Sequence, residues 1–379
     1  MAATVSDIVD MMESIAPGRL AEDWDHVGLQ VGRRDWAVQK VWVALDPTPA
    51  LLDAASAKGV DLLVTHHPLI FRPLTHLDPS DPTAGMIARA LEKRIAIFVA
   101  HTNLDAAPGG VNDILCERLG VVPSRPMQEP EKSAFYKFVV YAPIKHEASV
   151  LETLFANSVG VIGQYRDCTF RVKGIGTFRP KDAATPFSGS SGQLTHAEET
   201  RIEALVPSSD LSRLIEQVRN AHPYEEMAFD VLPTMAPGHK VGLGRIGELR
   251  SPMTLDAFAS GVADALELPL VRVAGAPYLT VQRVAVCSGS GSSLLSAFLS
   301  SGAQAYVSGD LKYHDARTAE TAGRGLIDIG HFASEHLVVE ALAQRMKHAL
   351  GKSHPDVRVE AYTEESEPFR QLSGKGGTT

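Results

Sequence analysis

Short apolar runs alternate with amphipathic stretches through the first third of the chain. Residues 41–45, 62–64 and 95–100 are apolar at nearly every position and stop at polar or proline-containing turns, which is the pattern of strands buried on both faces. Residues 4–15 carry Val5, Ile8, Val9, Met12 and Ile15 at helical spacing. Residues 49–58, 84–93 and 109–119 read as further helices, the first closed by Gly59. The segment 21–32 reads as an acidic turn with Trp24, Asp25 and His26 leading into a strand. Strand and helix in alternation predict a parallel sheet with right-handed crossovers and a common carboxyl edge.

From residue 122 to 133 the pattern breaks into prolines and charges, and we read a linker. Beyond it, strands at 136–141, 171–177, 199–206 and 227–232 and helices at 146–158 and 211–221 give the order β-α-β-β-α-β, which suggests a ferredoxin-like unit. His222-Pro223-Tyr224-Glu225-Glu226 reads as a polar lead-in to its last strand, and 233–240 as a second linker. The βα rhythm then resumes, with strands at 245–249, 281–286, 305–307 and 326–329 and helices at 254–265 and 334–346. The run Cys287-Ser288-Gly289-Ser290-Gly291-Ser292-Ser293 fits a flexible turn before a helix. It fits a phosphate cradle equally, without the lysine of a Walker A loop. A last strand is expected at 357–361. The organisation is an α/β core in two halves, 1–131 and 236–363, an insertion at 132–235, and a disordered Gly-rich tail at 364–379.

Composition narrows the class. A length of 379 residues suits two to three domains. A net charge of −9 argues against a nucleic-acid face spread over the protein. No window approaches the ~18 apolar residues of a membrane span, and the acids at Asp7, Asp10 and Glu13 are unlike a signal peptide. Cys116, Cys168 and Cys287 stand far apart with no C-x-x-C. The expectation is therefore a reducing cytoplasm, without disulfides or a cysteine zinc site.

The chemistry gathers at strand ends. Asp61-Leu62-Leu63-Val64-Thr65-His66-His67-Pro68 places two histidines on a turn that Pro68 keeps extended. The next strand ends in His101-Thr102-Asn103-Leu104-Asp105. Asp310 and His314 follow the strand at 305–307, and His331 and Glu335 follow the one at 326–329, four apart and so on one helical face. This mixed nitrogen and oxygen inventory is large enough for two divalent cations about 3.5–4 Å apart. It suits zinc first, with manganese, iron, cobalt or nickel as alternatives. We assign His66, His67, Asp105, His331 and Glu335 as ligands. His101, Asp310 and His314 are assigned to a supporting or acid–base role, with Asp310 and His314 as the catalytic pair.

His66-His67-Pro68, His101-Thr102-Asn103-Leu104-Asp105, Ser308-Gly309-Asp310-Leu311-Lys312-Tyr313-His314 and Gly330-His331-Phe332-Ala333-Ser334-Glu335 together resemble the signatures of the Nif-three-like family, whose members carry the name GTP cyclohydrolase 1 type 2 homolog. The resemblance covers residues 1–131 and 242–361, and the insertion resembles the PII/CutA-like one of longer bacterial members. It implies a dinuclear metal site on the five assigned ligands and a toroidal homohexamer with the sites facing an internal cavity. His26 departs from the asparagine usual after the aspartate. Two functions are open at this point: a metal-dependent hydrolase opening a nucleotide ring, or a non-catalytic metal-binding regulator whose insertion senses a ligand.

Overall fold

The four residues of Leu62–Thr65 (β3) are all buried. A strand apolar at successive positions needs cover on both faces, and the sheet around β3 has it. The computed structural model describes residues 3–128, 135–157, 159–162, 165–234, 241–351 and 353–370. In it β3 is the middle strand of a five-stranded sheet. Its companions are Gly28–Val31 (β1), Lys40–Ala44 (β2), Ala96–Val99 (β4) and Arg358–Ala361 (β15), in the order β1-β4-β3-β2-β15. β15, β2, β3 and β4 run parallel, and β1 closes one edge antiparallel to β4. On one face Val41, Val43, Val64 and Phe98 pack against Val5–Ile15 (α1) and Leu337–Leu350 (α12). On the other, Trp42, Leu63 and Ile97 pack against Pro49–Ala57 (α2) and Pro82–Glu92 (α3). Each of the last two helices starts with proline in its first turn behind a side-chain cap, Thr48 or Asp81.

A second sheet has six strands, in the order β11-β14-β13-β12-β10-β5. They are Val121–Arg125 (β5), Arg245–Thr254 (β10), Arg272–Ala274 (β11), Thr280–Ser290 (β12), Ala305–Gly309 (β13) and Gly325–Asp328 (β14). β12, β13 and β14 are parallel, and the strands at both edges are antiparallel. Val111–Arg118 (α5) and Leu255–Ala265 (α8) cover one face through Leu115, Leu255, Phe258 and Val262. Leu295–Ser300 (α9) and Tyr313–Thr321 (α10) cover the other, where Phe298 and Ala319 meet Tyr306 and Ala285.

The chain forms two compact units, one of Met1–Pro130 with Lys240–Thr379 and one of Glu131–His239. The first contains both sheets just described. The second contains Phe135–Pro143 (β6), Thr169–Phe178 (β7), Thr195–Pro207 (β8) and Phe229–Pro233 (β9), an antiparallel sheet in the order β7-β8-β6-β9. Glu147–Ala156 (α6) and Ser208–Ala221 (α7) pack Val150, Leu154, Leu214 and Val218 onto its Phe138, Val140 and Ile202. His222 is buried and satisfied on both nitrogens, by the Tyr141 carbonyl and the Tyr224 amide.

Several local expectations change. Residues 122–125 of the expected linker belong to β5, Val121–Arg125, and Pro123 is tolerated because β5 is an edge strand with no further partner. Positions 129–133 of that linker and 235–240 of the second lie outside the described residues. β12 continues through Ser290, so most of the Gly/Ser run is strand and not a loop before a helix. The helix expected at 334–346 is two, His331–Glu335 (α11) and α12. Residues 364–370, where a disordered tail was expected to begin, are described and hydrogen-bonded, with Glu365 accepting from the Leu45 and Asp46 amides. Positions 371–379 lie outside the described residues. No helix among the described residues is long and apolar enough to cross a membrane.

Arg245 ties the two sheets' segments together. It is 2 % exposed, pairs with Asp113 of α5, and donates to the carbonyls of Ala107, Gly242 and Gly244. Removing a buried guanidinium leaves these acceptors unpaired. Arg245→Leu is expected to lower unfolding stability by about 3 kcal/mol, read as a drop in the urea midpoint; an unchanged midpoint would show that the hub contributes nothing.

Candidate metal centre

The two parallel cores present their carboxyl ends to one cluster of side chains, the edge where open α/β sheets place ligands. Asp46 follows β2, His66 and His67 follow β3, and His101 follows β4. Thr102–Ala106 (α4) then carries Asp105 one turn beyond His101. From the other sheet, Asp310 follows β13, and α11 begins at His331 and ends at Glu335. The turn after β3 is an extension of pairing, since His66 N donates to Ala44 O and His67 N to Leu45 O. Asp310 sits at φ +53, a conformation uncommon for a residue with a side chain. It is held there next to His331.

Each imidazole is anchored by one nitrogen. Nδ1 of His66 lies 2.9 Å from the Ala100 carbonyl, that of His67 2.8 Å from Asp46 Oδ1, that of His101 3.0 Å from Asp25 Oδ2, and that of His331 2.8 Å from Asp310 Oδ2. Fixing Nδ1–H toward an acceptor leaves the Nε2 lone pair to face inward. Glu335 stands between them. Its Oε2 is 2.9 Å from His67 Nε2 and 3.0 Å from His331 Nε2, and its Oε1 is 3.6 Å from His66 Nε2. Asp105 Oδ1 is 3.8 Å from His66 Nε2. Despite this crowding, His66 Nε2 is buried with no hydrogen-bond partner, the nearest carboxylate oxygens standing 3.6 and 3.8 Å away. A buried polar atom left unpaired costs about 1–3 kcal/mol. Three overlapping groups, His66/His67/His101, His67/His331/Glu335 and His66/Asp105/Glu335, each bring ligand atoms within 4.8 Å of one another and could hold a metal ion.

The electrostatics follow from burial in company. Burial lowers the His67 imidazole, but Asp46 and Glu335 outweigh it and lift the group to about 10. Glu335 raises His331 to about 9. Burial pushes Glu335 up, yet His66, His331 and His67 together hold it well below the ordinary carboxylate value. Asp105 goes the other way, because burial there exceeds the pull of His66. Asp25 is pressed up by burial and drawn down further, to about 2, by His101 and Thr102. The donors are a mixed set of imidazoles and carboxylates, the chemistry a transition-metal cation satisfies once it displaces the protons on the imidazoles.

The Gly/Ser run meets the cluster from the second sheet. Ser288 Oγ donates to Asp105 Oδ1 at 3.0 Å, Ser288 N to Asn112 Oδ1 at 2.9 Å, and Gly289 N to Ser334 Oγ at 2.8 Å. Gly289 has φ +59, and a Cβ there would lie 2.2 Å from Glu335 Oε1. The glycine is needed because the strand end passes directly against the carboxylate. This stretch therefore supports the cluster and is not arranged as a phosphate cradle.

The family profile of Duf34/NIF3 (NGG1p interacting factor 3) matches residues 3–368. The chain belongs to the Duf34/NIF3 family. It is 36% identical over 365 residues to the GTP cyclohydrolase 1 type 2 homolog of Bacillus subtilis, covering 96% of this chain and 98% of that one. It is 34% identical over 362 residues to the protein of the same name from Halalkalibacterium halodurans, covering 96% and 97%. Among solved structures it superposes on a Bacillus cereus protein related to NIF3 with a TM-score of 0.76 at 34% identity, over 98% of this chain and all of the other. The α/β architecture of this Duf34/NIF3 chain is that of its structural relatives.

All five residues assigned as ligands from sequence meet in this cluster. His101, assigned a supporting role, also presents a ligand atom to His66 and His67. Asp310 orients His331. His314 is exposed, packs its ring against Tyr313, and takes no part in the contacts of the cluster. Sequence reasoning missed Asp46 and Gly289 and read Asp25 as part of a turn. For Asp46 the position after a strand was the only signal; Asp25 precedes β1, Gly289 lies inside β12, and no spacing links Asp25 to His101. Gly289→Ala is expected to displace Glu335 and to lower whatever divalent metal the wild type retains by elemental analysis, with the fold intact by circular dichroism; retention equal to wild type would mean the close approach is dispensable.

Proposed function

We propose that the chain binds two divalent cations, zinc first, between His66, His67, Asp105, His331 and Glu335, and acts as a hydrolase on a nucleotide. The observation that carries this reading is the buried Nε2 of His66, which has no hydrogen-bond partner and faces Glu335 and Asp105 at 3.6 and 3.8 Å, inside a ring of imidazoles already anchored by the opposite nitrogen. Glu335 turns one oxygen toward His66 and the other toward His67 and His331, so it is the natural bridge between two overlapping donor sets. Bound there, such cations supply Lewis acidity and a water whose pKa falls to about 7.

The chain's own residues do the rest. Asp46, Asp310 and the Ala100 carbonyl aim the imidazoles, and burial keeps bulk water from His66 and Glu335. A cavity of 1120 Å³ reaches His67 and His331, slightly larger than the few hundred to about 1,000 Å³ that small-molecule sites occupy. Leu268, Leu270 and Phe332 give it apolar walls suited to a base, and Arg118 gives it a guanidinium group suited to phosphate, while Arg272 is paired with Asp328. Asp310 lines the same cavity with its side chain 53% exposed, so it can exchange protons with a bound molecule while holding His331. The name of the bacterial relatives, GTP cyclohydrolase 1 type 2 homolog, makes GTP the first substrate to try.

We also read the second unit as ferredoxin-like. The support is the sheet order, in which the central pair β6 and β8 come from different β-α-β halves. Assembly into a homohexamer belongs to the same reading, supported by the long exposed edge strand β7 with Phe170, Val172 and Ile175 facing solvent. Sedimentation equilibrium should then give six times the 40.7 kDa of one chain; a monomer at micromolar concentration removes the hexamer.

The test of the function is direct. Wild-type protein reconstituted with zinc, manganese or iron should retain two equivalents per chain, and His66→Ala and Glu335→Gln should each lose most of it. The loaded wild type should convert GTP to a pterin-like fluorescent product. Absence of bound metal overturns the reading as a whole, and bound metal without turnover of GTP removes the cyclohydrolase activity.

A further inference from the structure

The segment after β15 reaches the metal centre at one remove. Glu365 accepts hydrogen bonds from two successive backbone amides, Leu45 N to Oε2 at 2.8 Å and Asp46 N to Oε1 at 2.9 Å, from 320 and 319 positions away in the chain. Its side chain is 7% exposed, and Oε2 lies 3.7 Å from Nε2 of His336. The carbonyls of the same turn are also taken, Leu45 O by His67 N and Asp46 O by Thr48 N. Asp46 is the residue whose carboxylate holds His67 Nδ1. The chain then runs on so that Glu367, Pro368 and Phe369 border the cavity that contains His67 and His331.

We propose that Glu365 is a positioning residue of the metal centre: by clamping the Leu45–Asp46 turn it fixes the carboxylate that aims His67. The proposal rests on the metal reading above. The turn between β2 and α2 carries Asp46 at its outer side, and a carboxylate there swings unless the backbone beneath it is fixed. Two charge-assisted bonds from one anion to adjacent amides fix both its height and its direction. Without them, Leu45 N, in a residue 1% exposed, loses its acceptor. Partners that orient a metal ligand typically change affinity 10–100-fold, and Glu365 stands one link further out, so the expected effect is about tenfold.

Zinc affinity is measured on the full chain by competition with a chromophoric chelator, for wild type, Glu365→Ala, Glu365→Gln, Asp46→Ala and the Glu365→Ala/Asp46→Ala double variant. The thermal midpoint of each metal-free protein is recorded beside it. Glu365→Ala should bind zinc about tenfold more weakly, and Glu365→Gln less so, since it keeps one acceptor oxygen. The double variant should bind no more weakly than Asp46→Ala alone, because the effect passes through Asp46. Wild-type affinity in Glu365→Ala overturns the proposal. So do additive losses in the double variant, which a residue with a merely structural role would give. If wild type itself binds no zinc, the metal reading falls and this proposal falls with it; if wild type binds and the cycle is additive, the metal reading stands.

Discussion

Glu335 and Asp105 are carboxylates taken out of water among hydrophobic strand ends, and a buried charge of that kind costs several kcal/mol unless something of opposite sign lies beside it. Much of the surrounding structure answers that cost. Three imidazoles press their Nε2 atoms around Glu335, and Asp105 has His66 nearby and a hydrogen bond from Ser288. Each imidazole is braced from behind by Asp46, Asp310 or a main-chain carbonyl, so the ring cannot turn its nitrogen away. Even so, the buried Nε2 of His66 is left without a hydrogen bond. A protein that merely needed stability would have done better with leucines there. The arrangement makes sense for a cation that completes it.

Bringing those groups together requires two sheets whose carboxyl ends meet, and the chain builds both sheets out of both of its halves. β5, from the first half, completes the edge of the second sheet beside β10. β15 and α12, from the second half, complete the first sheet and its core. Neither half would bury its apolar faces alone. The close approach also explains the glycine at 289, where any side chain would run into Glu335. Arg245 serves the same junction from the other side, where one guanidinium satisfies Asp113 and three carbonyls.

The second unit has its own core of Phe138, Val140, Leu154, Ile202 and Leu214 and its own hydrogen-bonded histidine, His222. Its chemistry-bearing residues are satisfied locally, as Tyr224 with Glu199 shows. The donors that could hold a metal ion among the described residues are all in the first unit.

The order of strands and helices in the core was legible because buried parallel strands are apolar at every position and the helices between them carry caps and periodic apolar faces. The gathering of these donors was legible for a related reason: histidines and acids stood at the ends of parallel strands, which share one edge. The sequence left undetermined whatever depends on a second segment far along the chain. Pro123 looked like linker because only the sheet shows that it lies on an edge strand, where its missing N–H costs no ladder bond. Asp25, Asp46 and Glu365 carry no local mark of their roles, since a lone acid in a turn becomes a brace only when a particular imidazole or amide lies 3 Å away. Residue types and strand ends are properties of the chain read locally. The pairing of one strand end with another, and so the aim of every donor, is a property of tertiary packing alone.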